Sequence, residues 1–122
     1  MKRLPKDVVA AITTARSLGV RSGDRHKHTN VWVVVIGGRV FVRSWNEAPT
    51  GWFRAFLRQP RGWIRVKTKE WPAIGKRVRA AALLTRVSSA LARKYPHPGA
   101  KHYIAGFREP RRRATTLELI SP

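Results

Sequence analysis

Two short stretches carry the side chains best suited to binding an anion, and they flank a predicted β-hairpin. The first, residues 21–28, combines arginine, lysine and histidine with Ser22-Gly23-Asp24, and the second is Arg43-Ser44 at a strand end. Cationic side chains, hydroxyl groups and the backbone N–H groups of a glycine turn are donors that bind phosphate. The first stretch has two interpretations: an anion site, or a solvated connection with ordinary turn chemistry.

Other chemistries that side chains alone can support are disfavoured. The six acidic residues are scattered, and no two lie three or four positions apart. The paired carboxylates of glycosidases and the clustered carboxylates of two-metal sites are therefore not expected. The sequence has no cysteine, which excludes disulfides and thiolate chemistry. His26 and His28 form a His-x-His pair, but no further ligand follows at a zinc-binding spacing, so no metal site is predicted.

The net charge is the most unusual property of the sequence. Lysine and arginine total 26 against six acidic residues, which gives +20. Such an excess attracts nucleic acid, anionic membrane surfaces or anionic small molecules. The cations recur from Lys2 to Arg113 and do not form a single tail. Two interpretations stay open: a polyanionic partner or ligand, or a generally basic composition without a dedicated partner.

A hairpin positions the candidate residues. Thr29–Ile36 is a β-branched run typical of a strand covered on both faces. Gly37-Gly38 is a strong two-residue turn signal, because glycine readily adopts the positive φ that such turns require. The return strand carries Arg39, Phe41 and Arg43 on one face. We expect this face to meet solvent or an anion.

The remaining pattern predicts one α+β domain over residues 1–122. Residues 1–18 include an N-terminal packing helix over Leu4–Leu18, stopped by Gly19, and 51–58 form a short helix opened by Trp52. The other predicted elements are strands at 63–68, 77–84 and 115–120 and helices at 87–95 and 103–108, with 77–84 open to a helical interpretation. This order of elements predicts a small barrel or sandwich.

Membrane and secretion signals are not evident. No stretch approaches the roughly 20 consecutive apolar residues that span a bilayer. Lys2, Arg3 and Lys6 are not followed by the apolar segment of a secretory signal. A cytoplasmic protein is therefore expected.

Several short motifs, taken in chain order, resemble a known family. They are Ser22-Gly23 with Arg25 before an apolar strand, Gly37-Gly38, Val42-Arg43-Ser44, Gly51-Trp52-Phe53-Arg54, Gln59-Pro60 leading into Ile64-Arg65-Val66, Lys94-Tyr95-Pro96 and Thr115-Thr116-Leu117-Glu118-Leu119. From about Gly19 to the C-terminus, the sequence resembles an uncharacterised bacterial family related to the flavin-binding split β-barrels. Within that superfamily it is most like the deazaflavin-dependent nitroreductases and more distantly similar to pyridoxamine 5′-phosphate oxidases.

The resemblance implies a fold, a cofactor and a site. The fold would be a small split β-barrel, mostly antiparallel, with flanking helices and in a homodimer. The function would be that of an oxidoreductase that transfers hydride from bound FMN or a deazaflavin cofactor. Arg43 would pair with phosphate, and Trp45 or Trp52 would pack on the ring system. The implied cofactor-binding residues are Ser22, Gly23, Arg25, Lys27, His28, Arg43, Ser44, Trp45 and Trp52.

Two other functions stay open. A basic nucleic-acid-binding protein without catalytic activity would use aromatic residues beside arginines, such as Phe41 and Trp63, each with an arginine two positions away on both sides. A non-catalytic barrel would neither transfer hydride from a cofactor nor bind nucleic acid. Geometry discriminates between these functions: convergence of the implied site residues on one pocket favours a cofactor, and a continuous arginine stripe favours nucleic acid.

Overall fold

The computed structural model describes residues 2–24, 27–46 and 48–122. Its helices are α1 (Lys6–Thr13), α2 (Trp52–Arg58), α3 (Ala81–Lys94), α4 (Lys101–Phe107) and α5 (Pro110–Arg113), and a 3-10 turn at Pro98–Ala100 precedes α4. Its strands are β1 (Leu18–Ser22), β2 (Thr29–Val31), β3 (Val33–Ile36), β4 (Arg39–Arg43), β5 (Arg61–Val66), β6 (Lys69–Arg77) and β7 (Thr116–Ile120). Across these three ranges, no helix is long and apolar enough to cross a membrane.

In the described part of the chain, seven strands form one antiparallel sheet in the order β2-β1-β5-β6-β7-β4-β3. β2 and β3 are consecutive along the chain and separated by Trp32 alone, yet they occupy opposite edges of the sheet. The sheet must therefore curl until its two edges meet at Trp32, which makes a nearly closed barrel. This arrangement, with its flanking helices, confirms the predicted α+β class and the small, mostly antiparallel barrel.

The junction at Trp32 and Val33, here called the barrel seam, is closed by the end of α3. The backbone N–H of Val33 donates to the hydroxyl of Tyr95 at 3.2 Å, and Lys94 Nζ donates to the Val33 carbonyl at 2.8 Å. The Tyr95 hydroxyl donates in turn to the carbonyl of Arg16 at 2.7 Å, and its ring stacks on Trp32 with 4.2 Å between centroids. Side chains thus satisfy backbone groups that a sheet edge would leave unpaired.

Two apolar cores lie on the two faces of the barrel wall. The inner core fills the barrel, and α1 and α2 contribute to it through Val8, Ile12, Phe53 and Phe56. The outer core lies between the β3–β4 hairpin and helices α3 and α4, and it includes Val34, Phe41, Val87, Leu91 and Phe107. Strand β3 is therefore covered on both faces, as its β-branched sequence predicts.

The face of β4 that was expected to meet solvent or an anion is instead covered. Phe41 is fully buried and Arg43 is only 2% exposed. Arg39 donates from Nε and Nη2 to the two carboxylate oxygens of the buried Glu118, at 2.9 and 2.8 Å. The prediction was wrong because strand alternation does not reveal a helix that comes from a distant part of the chain.

Several predicted elements differ from the structure. α1 covers Lys6–Thr13 rather than Leu4–Leu18. Leu18–Ser22 is strand β1 because its apolar residues enter the inner core while its backbone pairs with β5. The predicted strand over 77–84 is wrong beyond Arg77, since α3 begins at Ala81 and the alternative helical interpretation holds from there.

We expect Tyr95→Phe to lower the free energy of unfolding by about 1–3 kcal/mol, because the Val33 N–H loses its acceptor and the Arg16 carbonyl loses its donor. Tyr103→Phe is the matched control. That side chain is 43% exposed, and removing its hydroxyl should change stability by less than about 0.5 kcal/mol. Urea unfolding followed by circular dichroism measures both variants, and equal stabilities would contradict the role assigned to the seam.

Candidate functional site

A cleft of about 630 Å³ opens beside the barrel seam. Its walls come from β2 and the seam, from the segment after β4, from the start of α2 and from α4. We call it the aromatic cleft, because its lining includes the aromatic side chains Trp32, Trp45, Trp52, Tyr103 and Phe107. Its polar lining includes Thr29, Asn30, Arg43, Asn46 and Thr50.

Internal packing fixes the wall of the aromatic cleft at Trp45. This ring lies edge-on to Tyr103 and Phe107, at centroid distances of 4.8 and 5.3 Å. The guanidinium of Arg112 lies 3.7 Å from the ring centroid, and Arg112 Nε donates to the Trp45 carbonyl at 3.0 Å. The indole also abuts Gly106, where an added Cβ would overlap it. A preformed apolar wall of this kind is typical of small-molecule sites.

A second, smaller cleft of about 110 Å³ adjoins the first. Thr29, Thr50 and Trp52 line both, so these three residues form the boundary between them. We call it the basic cleft, because Arg21 and Lys27 line it. Among the residues that the structure describes, no carboxylate lines either cleft. Together the two clefts offer apolar ring surface on one side and positive charge on the other.

Arg43 lines the aromatic cleft, but four of its five N–H groups donate within the fold. Its acceptors, all uncharged, are Thr116 Oγ1 at 2.7 Å, Ser88 Oγ at 2.8 Å, and the carbonyls of Phe107 and Leu84, each at 3.0 Å. Burial, together with the nearby positive charges of Arg113 and Arg108, lowers the pKa of Arg43 to about 10. Arg43 therefore remains a cation at neutral pH that joins β4, β7, α3 and α4.

Ser22 and Gly23 hold the end of α2. Ser22 is 2% exposed, and its Oγ lies 3.1 Å from the carbonyl of Ala55 and 2.7 Å from that of Gln59. The hydroxyl thus gives the Gln59 carbonyl, which lies past the end of the helix, a donor, and it approaches the Ala55 carbonyl, which already accepts from the Gln59 N–H at 2.8 Å. Gly23 has a φ of +62°, and its N–H donates to the Arg61 carbonyl at 2.9 Å. Ser22 and Gly23 therefore fix β1 against α2, whose first residue, Trp52, lines both clefts.

His28 lies outside both clefts. Its Nε2 is 2.7 Å from Oε2 of Glu70, and Glu70 also pairs with Arg21 at 3.3 Å. Burial and the positive charge of Arg65 lower the pKa of His28, although Glu70 opposes the shift. Because an unperturbed histidine already titrates near pH 6.5, this imidazole is predominantly neutral at pH 7. His28 therefore interacts with Glu70 on the outer surface of the barrel and contributes to neither cleft.

The implied cofactor-binding residues converge in part. Arg43, Trp45 and Trp52 line the aromatic cleft, and Ser22, Lys27 and Trp52 line the basic cleft. The two predicted stretches therefore reach adjoining clefts, whose boundary is formed by Thr29, Thr50 and Trp52. Ser22 and Arg43, however, use their polar groups mainly for hydrogen bonds within the fold.

The other implied residues lie nearby or elsewhere. Ser44 is buried, with its N–H donating to Thr115 Oγ1 at 3.0 Å and its Oγ donating to the Asn46 carbonyl at 2.8 Å. It shapes the segment that leads into the aromatic cleft. Arg25, which the resemblance also implicates, falls outside the described residues.

Sequence reasoning missed three aromatic residues of the site. The sequence predicts an uninterrupted strand through Trp32, whereas Trp32 is the point at which the chain crosses from one edge of the sheet to the other. Tyr103 and Phe107 lie four positions apart on α4 and both line the aromatic cleft. Their helical spacing is the signal that was available, because residues four apart share one face of a helix.

We expect Arg43→Met to lower the free energy of unfolding by about 2–4 kcal/mol, because several buried acceptors lose a charged donor at once. Arg86→Met is the matched control, since it removes the same charge at an exposed position of α3 and should cost less than about 0.5 kcal/mol. Denaturant unfolding compares the two. A cost for Arg43→Met no larger than the control would contradict a structural role.

Comparisons with known proteins agree with the fold and identify a family. The chain is similar to the crystal structure of the conserved hypothetical protein Rv2991 from Mycobacterium tuberculosis, with a TM-score of 0.59 and 13% sequence identity, over 100% of this chain and 84% of that one. At this identity the likeness shows the fold alone. No curated protein matches the sequence significantly. A model of the family described as an uncharacterized protein conserved in bacteria (DUF2255) matches residues 8–119, so the chain belongs to that family.

Proposed function

We propose that the protein binds a flavin or deazaflavin cofactor across the two adjoining clefts and acts as an oxidoreductase that transfers hydride from it. The observation that carries this proposal is the meeting of the aromatic cleft and the basic cleft at Trp52. FMN and deazaflavin cofactors have two corresponding parts, a planar ring system and an anionic tail. Aromatic walls suit the first part, and a cationic side chain suits the second.

The aromatic cleft fits a planar ring by size and by lining. Its volume of about 630 Å³ lies within the range of small-molecule sites, roughly 300–1,000 Å³. Trp32 and Trp52 are half-buried, so each is packed in place and still exposes ring surface. Asn46 and Thr50 line the same cleft, and their side chains can donate to or accept from the polar edge of a ring.

Lys27 is the cation best placed for the anionic tail. It is exposed and lines the basic cleft. Arg21 lines the same cleft, but it already donates to the Asp24 carbonyl at 2.8 Å and to Glu70 at 3.3 Å. Arg43, to which the resemblance assigns the phosphate, is 2% exposed and uses four of its five N–H groups within the fold. The proposal therefore moves the phosphate contact from Arg43 to Lys27.

The proposed activity makes modest demands on the chain itself. A flavin-type cofactor, when bound, supplies the hydride chemistry, and the protein supplies binding, orientation and exclusion of water. The packed ring of Trp45 and the boundary formed by Thr29, Thr50 and Trp52 provide these contributions. Paired carboxylates are not required, which agrees with the scattered acidic residues of the sequence.

Isothermal titration calorimetry with FMN and, separately, with a polyglutamyl-tailed deazaflavin tests the proposal. We expect saturable micromolar binding of one of them. Trp52→Ala should weaken it about tenfold or more, because stacking and buried ring area are lost together. Trp63→Ala is the matched control, since it removes the same side chain from the outer face of β5, where Trp63 lines neither cleft and approaches the basic cleft through Arg21, 5.8 Å from its ring centroid. It should change affinity far less than Trp52→Ala.

Lys27→Ala tests the anionic half of the site. It should weaken binding several-fold and reduce its dependence on salt, because a charge-assisted contact is removed. Lys101→Ala, at an exposed position of α4 outside both clefts, is the charge-matched control. Absence of saturable binding, or equal losses in the site variants and their controls, would rule the proposal out. Faster reoxidation of the bound, reduced cofactor by a small electron acceptor in the wild type than in Trp52→Ala would support hydride transfer.

A further inference from the structure

The outer face of β1, β5 and β6 displays an aromatic residue among cations. Because alternate residues of a strand share a face, Arg61, Trp63 and Arg65 project from the same side of β5. The register places Arg21 of β1 and Pro72 of β6 on either side of Trp63. Arg61, Arg65 and Pro72 are exposed, and Arg21 and Trp63 are half-buried. We call these five residues the basic sheet face.

Trp63 is held in a fixed orientation on this face. Its Nε1 donates to Asp24 Oδ1 at 2.8 Å, and the guanidinium carbon of Arg21 lies 5.8 Å from its ring centroid. Arg21 is itself positioned by hydrogen bonds to the Asp24 carbonyl and to Glu70. An indole oriented in this way beside an arginine is suited to stacking on a nucleobase.

The charge around Trp63 is positive and only partly compensated. Lys67, in the turn from β5 to β6, is exposed and adds a further positive charge at the end of β5. Two carboxylates lie at this face: Asp24, which accepts from Trp63, and Glu70, which stands opposite Arg65 in the register, pairs with Arg21 and lies close to His28. They compensate only part of the charge of Arg21, Arg61 and Arg65. A polyanion is therefore the partner whose charge complements this surface.

We propose that the basic sheet face binds single-stranded nucleic acid, with a base stacked on Trp63 and neighbouring phosphates paired with Arg61 and Arg65. An aromatic side chain on an open sheet stacks on bases that have left their own helix, which selects single strands over duplexes. Stacking and phosphate contacts do not read base edges, so binding is largely independent of sequence. The site shares Arg21 with the basic cleft but no residue with the aromatic cleft, and it requires no cofactor.

A second copy of the chain fits this face poorly. A two-fold interface would bring the same patch of both protomers together. Arg61 and Arg65 of one protomer would then approach identical residues of the other, and like charges across an interface oppose association. The net charge of +20 on each chain strengthens that repulsion.

Fluorescence anisotropy with labelled oligo-dT and oligo-U tests the proposal against a duplex of the same length. We expect single strands to bind more tightly than the duplex, with affinity that falls between about 50 and 200 mM salt. The double variant Arg61→Ala/Arg65→Ala should reduce the slope of log K against log salt by about 1.4, since each lost contact to a single strand removes about 0.7. Arg86→Ala/Arg111→Ala removes the same charge from exposed positions of α3 and α5 and should leave the slope nearly unchanged.

Trp63 provides the second readout. Trp63→Ala should weaken binding about tenfold, Trp63→Phe should retain most of it, and Trp52→Ala should have no effect. Circular dichroism of each variant confirms folding. Equal slopes for the two double variants, duplex binding as tight as single-strand binding, or binding to anionic vesicles without binding to oligonucleotides would overturn the proposal. The variants keep the two proposals separable, because Trp52 and Lys27 lie outside the basic sheet face and Arg61, Trp63 and Arg65 line neither cleft.

Discussion

The structure depends on the closure of the sheet at a single residue. Since β2 and β3 are successive segments of one extended run, the barrel can close only if the chain crosses from one edge to the other at Trp32. The backbone of Val33 then needs partners from outside the sheet, and Tyr95 and Lys94 supply them. This requirement fixes the end of α3. The position of α3 in turn determines what covers the hairpin and where α4 follows.

The aromatic cleft is a consequence of that closure. Trp32 forms one wall because it lies at the crossing, and Tyr103 and Phe107 form another because α4 follows α3 closely in the chain. The same helices bury Arg43, whereas Arg61 and Arg65 on β5 remain exposed. Arginine therefore has two physical roles in this molecule: an internal connector held by uncharged acceptors, and a surface charge available to a partner.

Local sequence signals predicted local structure well. The turn at Gly37-Gly38 has positive φ at both residues, as its sequence requires, and the helix opened by Trp52 and the closing strand lie within two residues of their expected bounds. Local sequence signals failed for features that depend on contacts with a distant segment of the chain. Gly19 was read as a helix stop although it lies within a paired strand, and the burial of Arg43 depends on residues more than 40 positions away. Likewise, the resemblance pointed to both clefts, but strand periodicity could not show that Trp32 meets Tyr103.

The barrel seam also constrains how the chain folds. Its closing hydrogen bonds join residues 61 and 62 positions apart, so they carry a high cost in loop entropy and belong to the contacts that slow folding. Until α3 docks, the edges formed by β2 and β3 expose unpaired backbone groups, which other chains could extend. A charge of +20 keeps identical chains apart during that interval. The basic composition therefore opposes pairing between identical chains at these edges, whatever partner the finished molecule binds.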